Sequence, residues 1–284
     1  MQIYDPETAV RPFVKWVGGK RRSLPVLMSY MPEHIDTYVE PFVGGGAMLF
    51  ALKFKKAVIS DLNPELICAY KAIRDDLEGL KKLLQTFKYD KEQFLEVRAW
   101  DRDNNFLENR TETERGARLI YLLKTCFNGL YRVSGKGYFN TPFGKLDNPN
   151  ICDVPTLERA HAFLNEKQVE ILNLDYNEVL RRGYITKDAV VYLDPPYAPL
   201  NRTSYFTSYA IGDFTDCDQT MLRDYCDVLN ANGIRFLESN STAPIIFDLY
   251  RKYAITTLNA RRSINSKGTG RGAIKELVIR NYAD

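Results

Sequence analysis

Asp194-Pro195-Pro196-Tyr197 places a carboxylate, a pair of prolines and a phenol ring in four consecutive positions. An ionised Asp accepts hydrogen bonds and cannot donate them, and neither proline has an N–H, so the segment presents acceptors and an aromatic face. Such a set suits an exocyclic amino group on a planar base, with two hydrogens to accept and a ring to stack. The preceding run, Ala189-Val190-Val191-Tyr192-Leu193, is apolar and reads as a buried strand that the prolines end. Strand–Asp–Pro turns also occur in plain α/β proteins, so other residues must separate a reactive turn from a structural one.

A second constellation lies upstream. Thr37 to Phe42 reads as a strand, Gly44-Gly45-Gly46 as a tight turn after it, and Asp61 stands 17 residues beyond Gly44. Consecutive glycines let backbone N–H groups approach a ligand closely. An acid about 20 residues beyond such a turn is where a nucleotide-binding unit keeps the carboxylate for ribose hydroxyls. The dinucleotide pattern G-x-G-x-x-G is not met, and a plain strand–helix turn would use glycine too. Glu40, just before the turn, would repel a pyrophosphate. A nucleoside carrying positive charge and no phosphate fits better, and S-adenosylmethionine is such a molecule. Trp16-Val17-Gly18-Gly19-Lys20 lacks the G-x-x-x-x-G-K-[ST] spacing of a phosphate loop, because no glycine stands five before Gly19 and Arg21 follows the lysine.

The elements that must hold these groups follow from periodicity. Thr37 to Phe42 and Ala57 to Ser60 read as strands with a helix, Ala47 to Lys55, between them. Pro64 to Asp76 reads as a helix that Asn63 caps with Pro64 at its first position. Thr111 to Leu123 has a firm helical period. Val169 to Leu172, Val190 to Leu193, Ile234 to Leu237 and Lys275 to Arg280 read as further strands. Alternation of this kind predicts an α/β, Rossmann-like sheet interrupted by a mostly helical insert. The expected division is residues 1–76 with 160–284 for the catalytic domain and 77–159 for the insert.

At 284 residues, with 45% hydrophobic and 26% charged residues, the composition is that of a globular protein. No apolar run approaches the ~18 residues of a membrane span, and the N-terminus lacks the basic and apolar regions of a signal peptide. Five scattered cysteines form no C-x-x-C pair, which points to neither zinc nor disulfides and fits a reducing cytoplasm. The net charge is only +3, but the basic residues cluster. Lys124, Arg132, Lys136 and Lys145 lie in a stretch free of acids, as do Arg261, Arg262, Lys267 and Arg271, and Lys15, Lys20, Arg21 and Arg22 gather near the N-terminus. One cluster reads as a solvated face; three fit phosphate contacts along DNA.

Six motifs occur in order: Phe13-Val14-Lys15-Trp16-Val17-Gly18-Gly19-Lys20, Glu40-Pro41-Phe42-Val43-Gly44-Gly45-Gly46, Asp61-Leu62-Asn63, Phe127-Asn128-Gly129-Leu130-Tyr131-Arg132, Phe139-Asn140-Thr141-Pro142-Phe143-Gly144 and Asp194-Pro195-Pro196-Tyr197-Ala198-Pro199-Leu200. Together they resemble the Dam family of DNA adenine-N6 methyltransferases, from about residue 11 onward. The resemblance implies transfer of a methyl group from S-adenosylmethionine to adenine N6 in duplex DNA, within GATC, leaving S-adenosylhomocysteine and needing no metal. It implies that Trp16, Lys20, Asp61 and Asp194 contact the cofactor, that Glu40, Phe42, Gly44 and Gly46 line its pocket, and that Asp175 meets its adenine. As a sequence feature alone, Asp175 reads equally as a helix cap. The target base would leave the stack, rest on Tyr197, and give its amino hydrogens to Asp194 and the Pro195 carbonyl, with Pro196 completing the turn.

Recognition, by the same resemblance, falls to Phe127 in the opened base stack, Asn128 beside it, Leu130 on a thymine methyl, Arg132 on a guanine edge and Lys15 on the outer guanine. Lys145, Arg261, Arg262, Lys267 and Arg271 would meet DNA as well. Lys145-Leu146 stands where family members often carry Arg-Tyr, which bears on the first base of the site. Cytosine-N4 or RNA methylation, a DNA-binding protein without activity, and a nicotinamide dehydrogenase are the alternatives. The Phe127–Arg132 segment opposes the first two, the intact cofactor motifs the third, and everything after residue 120 the fourth. Double-stranded DNA is the expected partner, with a restriction endonuclease as a functional counterpart left open.

Overall fold

The structure, a computed structural model, describes residues 9–200, 214–261 and 273–283. A short helix α1 (Leu24–Met28) precedes strands β1 (Thr37–Glu40) and β2 (Lys56–Ser60). Helices α2 (Pro64–Asp75), α3 (Leu77–Thr86), α4 (Lys91–Ala99), α5 (Phe106–Asn109), α6 (Glu112–Thr125) and α7 (Val154–Glu166) follow. The chain then runs through β3 (Val169–Leu172), α8 (Tyr176–Arg181), β4 (Ala189–Leu193), α9 (Asp216–Ala231), β5 (Arg235–Ser241), α10 (Pro244–Tyr250), β6 (Ala254–Arg261) and β7 (Ala273–Arg280). The seven strands form one sheet in the order β3-β2-β1-β4-β5-β7-β6, and β7 is antiparallel to both its neighbours. The order reverses between β1 and β4, so ligands are expected outside the carboxyl ends of those strands. The α/β, Rossmann-like expectation holds.

Local chemistry explains most boundaries. Asn63 caps α2, its side chain accepting from Leu66 N at 3.1 Å, and Pro64 occupies the first turn, where its missing N–H is harmless. Thr111 and Glu114 form a reciprocal capping box on α6. The helix expected over Ala47 to Lys55 is absent; only a single tight turn, Leu49–Ala51, forms there. Met48, Leu49, Phe50, Ala51 and Leu52 are all buried, so no solvent face repeats with helical period and the run fills the core as a turn. Strand β6 had no counterpart among the expected strands. It is an edge strand of weak alternation, and its register comes from antiparallel pairing with β7, for example Thr256 with Val278.

Two apolar clusters sandwich the sheet. One contains Tyr38, Leu49, Ile67, Tyr70, Leu80, Phe94, Tyr121 and Leu164, so α2, α3, α4, α6 and α7 share it with β1 and β2. The other contains Val191, Leu193, Leu222, Cys226, Phe236 and Tyr250 and is covered by α8, α9 and α10. Two ion pairs lock the helical layer. Arg115 meets Glu65 at 2.6 Å, and Arg118 meets Asp101 at 2.7 Å while also donating to the Val97 and Arg98 carbonyls. Asp101 accepts in addition from Phe139 N at 2.7 Å, which anchors the segment after α6 to the helices.

Candidate active site

Strand β4 ends at Leu193, and Asp194 emerges at its carboxyl end. Lys20, from the N-terminal segment, pairs with Asp194 Oδ1 at 2.6 Å, with side-chain exposures of 6% and 18%. Its ammonium also donates to the Gly18 carbonyl at 2.8 Å and lies 4.8 Å from the centre of the Tyr197 ring. Burial raises the Asp194 pKa, and Lys20 works against that rise. The site therefore holds a cation between a carboxylate and an aromatic face, an arrangement that favours positive charge. Pro195 is buried, while the Pro196 carbonyl turns inward to accept from Gln219 Nε2 at 2.9 Å.

The glycine turn stands at the end of β1. Gly44 and Gly46 have φ of +48° and +73°, a region that L side chains rarely adopt. A Cβ on Gly44 would lie 2.8 Å from Trp16 Cδ1, and one on Gly46 would lie 2.5 Å from the Tyr70 hydroxyl. Asp61, at the end of β2, accepts from Gly44 N at 3.0 Å and Asn63 N at 2.9 Å. Tyr70 donates to the Gly44 carbonyl at 3.0 Å. Burial raises the Asp61 pKa against those two N–H groups. Glu40 is buried, its pKa raised chiefly by burial, and its Oε2 meets no hydrogen-bond donor.

These residues fit S-adenosylmethionine. Glu40, Asp61 and Asp194 supply acceptors for a cationic ligand rich in donors, and the orphaned Glu40 oxygen calls for one. Phe42 stacks on Tyr176 with centroids 5.1 Å apart, which gives an aromatic wall. Asp175 caps α8, accepting from Asn177 N at 3.0 Å. Asn173 donates to the Asp61 carbonyl at 2.8 Å and so ties the ends of β2 and β3 together.

The segment after α6 forms an irregular antiparallel ribbon. Cys126 bridges to Phe143 and Val133 to Phe139. At its base, Asn128 and Gly129 adopt φ of +58° and +65°. Phe127 is 48% exposed, Asn128 and Arg132 are exposed, and Leu130 is half-buried and outside the core. Arg132 Nε donates to Asn140 Oδ1 at 3.3 Å. Lys15 is exposed and its stem rests on Gly129. Lys145 and Leu146 are exposed on the return strand, where the Tyr89 hydroxyl donates to the Gly144 carbonyl and accepts from Leu146 N, both at 2.7 Å. Arg261 ends β6, and Arg262, Lys267 and Arg271 lie outside the described residues.

Tyr131, to which the sequence reading gave no role, joins the two halves of the site. Its ring stacks on Trp16, with centroids 5.2 Å apart, and Trp16 also borders the glycine turn. Sequence gave no sign of that contact. Gln219 and Asn240 were also missed. A signal existed for Asn240, because Glu238, Ser239, Asn240 and Ser241 are four consecutive polar residues in a central strand, and all are buried.

The family described as D12 class N6 adenine-specific DNA methyltransferase matches residues 16–264. The type II methyltransferase M1.LlaDCHI of Lactococcus lactis subsp. cremoris is 40% identical over 277 residues, covering 97% of this chain and 96% of that protein. The type II methyltransferase M.MjaIII of Methanocaldococcus jannaschii is 41% identical over 292 residues, covering 96% and 99%. A DNA adenine methylase of Vibrio cholerae is 32% identical over 275 residues, covering 94% and 95%. The matched span runs from Trp16, over the glycine turn, past the Asp194 turn, and the chain belongs to the D12 class of N6 adenine-specific DNA methyltransferases.

Proposed function

We propose that this adenine-specific DNA methyltransferase acts at GATC in duplex DNA, with S-adenosylmethionine as donor and S-adenosylhomocysteine as product. The observation that carries the reading is the Lys20–Asp194 pair over Tyr197, set at the strand order reversal beside the glycine turn and Asp61. Asp61 takes the ribose hydroxyls, Trp16 and Phe42 flank the nucleoside, Gly44 and Gly46 let it approach, Glu40 takes a donor of its cationic end, and Asp175 meets its adenine.

The bound donor supplies an electrophilic methyl group. Lys20 occupies Asp194 Oδ1, so Oδ2 and the Pro195 carbonyl are the acceptors for the two amino hydrogens of a flipped adenine stacked on Tyr197. Both hydrogens held in the ring plane leave the nitrogen lone pair pointing out of it, toward the methyl group. The donor would supply the methyl carbon, its bond to sulfur exchanged for one to nitrogen with release of the neutral thioether, and the resulting cationic nitrogen would give one proton to solvent. Asp194 and the Tyr197 face favour the positive charge that grows on nitrogen, so positioning and electrostatics carry the rate.

Residues 77–159 read the DNA in this proposal, and residues 1–76 with 160–284 carry the chemistry. Phe127 enters the opened stack, with Asn128, Leu130, Arg132, Lys15 and Lys145 around it and the Arg261–Arg271 segment on the backbone. The exposure of Phe127 and Arg132 on one ribbon supports this. Arg132→Ala should cost about 1–3 kcal/mol of discrimination at a single guanine, read as relative kcat/KM on duplexes altered at that base; unchanged selectivity would remove Arg132 from the reading surface.

Relatives carry both type II methyltransferase and DNA adenine methylase names. A cytoplasmic enzyme paired with a restriction endonuclease and a stand-alone methylase are both compatible with them; among the described residues no helix is long and apolar enough to cross a membrane. Tritiated methyl transfer to duplexes bearing GATC, GATATC or a scrambled site tests the reading. Label in N6-methyladenine on GATC alone is the expected result; label on another duplex would overturn the site and leave the chemistry.

A further inference from the structure

The turn that carries Asp194 is held from behind by a chain of buried amides. Gln219, on α9, is fully buried and donates from Nε2 to the Pro196 carbonyl at 2.9 Å. Its Oε1 accepts from Asn240 Nδ2 at 3.0 Å, and the same nitrogen donates to Glu238 Oε1 at 2.9 Å. Asn240 Oδ1 accepts from Ala198 N at 3.2 Å and from Ser241 N at 2.8 Å. The Ala198 carbonyl in turn accepts from the Ser241 hydroxyl at 2.5 Å.

The direction of every bond in this chain is determined. Two backbone N–H groups can only donate, so the atom of Asn240 that faces them is the oxygen. Its nitrogen must then point at Gln219 and Glu238, so the atom of Gln219 that faces it is an oxygen too. The remaining Gln219 nitrogen can only donate, and its target is the Pro196 carbonyl. Glu238 fixes the far end as an acceptor. It pairs across the sheet with Leu193 and Ile279 and accepts from Cys226 Sγ, and burial raises its pKa to about 7.

We propose that Gln219 is a positioning residue for methyl transfer: by drawing the Pro196 carbonyl inward, with its own amide oriented by Asn240 and Glu238, it sets the Pro196–Tyr197 peptide plane, and with it the place of the Tyr197 ring against the target base, while the Pro195 carbonyl stays open as an acceptor. Among the described residues no donor reaches the Pro195 oxygen, so that acceptor stays open while its neighbour is occupied. The two proline rings fix φ at both residues and Pro196 restricts ψ of Pro195, so ψ of Pro196 is the torsion left free, and the Gln219 bond restrains it. The inference rests on the reading of Asp194-Pro195-Pro196-Tyr197 as the turn that holds the adenine amino group.

The test uses the full chain with Gln219→Met, which keeps side-chain length and removes the donor. Single-turnover methyl transfer is measured at saturating cofactor and duplex, normalised to active sites by cofactor stoichiometry, beside dissociation constants for S-adenosylmethionine and duplex. The transfer rate is expected to fall about ten- to hundredfold, the scale of a sub-ångström to ångström misplacement, with both dissociation constants within about threefold of the unaltered chain. Asn240→Ser interrupts the same chain one link further back and must give the same split; it stands in where Gln219→Met does not fold. An unchanged rate overturns the inference, and so does a loss of rate matched by a loss of cofactor affinity, which marks a structural role only. An unaltered chain that labels no duplex overturns the functional reading and the inference with it.

Discussion

Asp194→Ala is expected to reduce methyl transfer by a factor of about a thousand or more, with duplex affinity nearly unchanged. The carboxylate is the acceptor that orients the amino group, and it is also the partner of Lys20, whose side chain is 6% exposed. Removing it leaves a buried ammonium without a counter-charge, a change that typically costs about 3–5 kcal/mol. Loss of rate and loss of stability would then be mixed in this variant. Asp194→Asn separates them, because the amide keeps one oxygen for Lys20 and spoils the second acceptor. Its thermal midpoint should lie between those of Asp194→Ala and the unaltered chain, while its transfer rate stays near that of Asp194→Ala. Full activity in either variant would end the mechanism proposed above.

The same carboxyl gives the pH dependence a sign. Burial holds the Asp194 pKa above the ordinary carboxylate value, with Lys20 opposing. The form that accepts both a lysine and an amino hydrogen is the ionised one, so the rate must fall as pH drops through that raised pKa. The folded chain also binds this proton more readily than the unfolded chain, so acidification through the same window relieves a cost of folding. Activity and the Asp194 contribution to stability therefore move in opposite directions on the acid side. Parallel pH profiles of single-turnover rate and of unfolding midpoint for Asp194→Asn and the unaltered chain read this directly.

What sequence made legible was what is local. The acceptor turn, the glycines with Asp61 after them, and the capped helix from Pro64 depend on residues a few positions apart, and each stands where its pattern placed it. The Ala47 to Lys55 run failed for a physical reason: its central residues, Met48 to Leu52, are all buried and leave no solvent face to repeat with helical period. Strand β6 failed because an edge strand draws its register from a partner that the sequence does not place beside it. The site itself depends on contacts between distant segments. Lys20 meets Asp194, Trp16 meets both the glycine turn and Tyr131, and Gln219 meets Pro196. The family resemblance named Lys20 and Trp16 as expected cofactor contacts but not Tyr131 or Gln219, whose contacts join segments far apart in the chain.

Gly44→Ala is expected to weaken cofactor binding by about ten- to hundredfold, because the turn and the tryptophan over it cannot both keep their places. Two costs add at this position. The backbone φ of +48° disfavours an L side chain by roughly 1–2 kcal/mol. The new Cβ would also stand 2.8 Å from Trp16 Cδ1, a separation that forces the indole outward. Trp16 is also stacked on Tyr131, 5.2 Å away between centroids, so its displacement disturbs the ribbon that carries Phe127 and Arg132. The variant should therefore lose duplex affinity in the presence of cofactor, beyond the loss in cofactor affinity alone. Gly45→Ala is the control, since its Cβ would meet Trp16 Cβ at 3.3 Å without a positive φ, and it should change cofactor affinity by less than about threefold. The chain has two tryptophans, so Trp100→Phe leaves Trp16 as the reporter, and its fluorescence on titration with S-adenosylmethionine would register the move. Equal affinities for the Gly44→Ala and Gly45→Ala chains would show that Trp16 yields freely and is no part of the cofactor's wall.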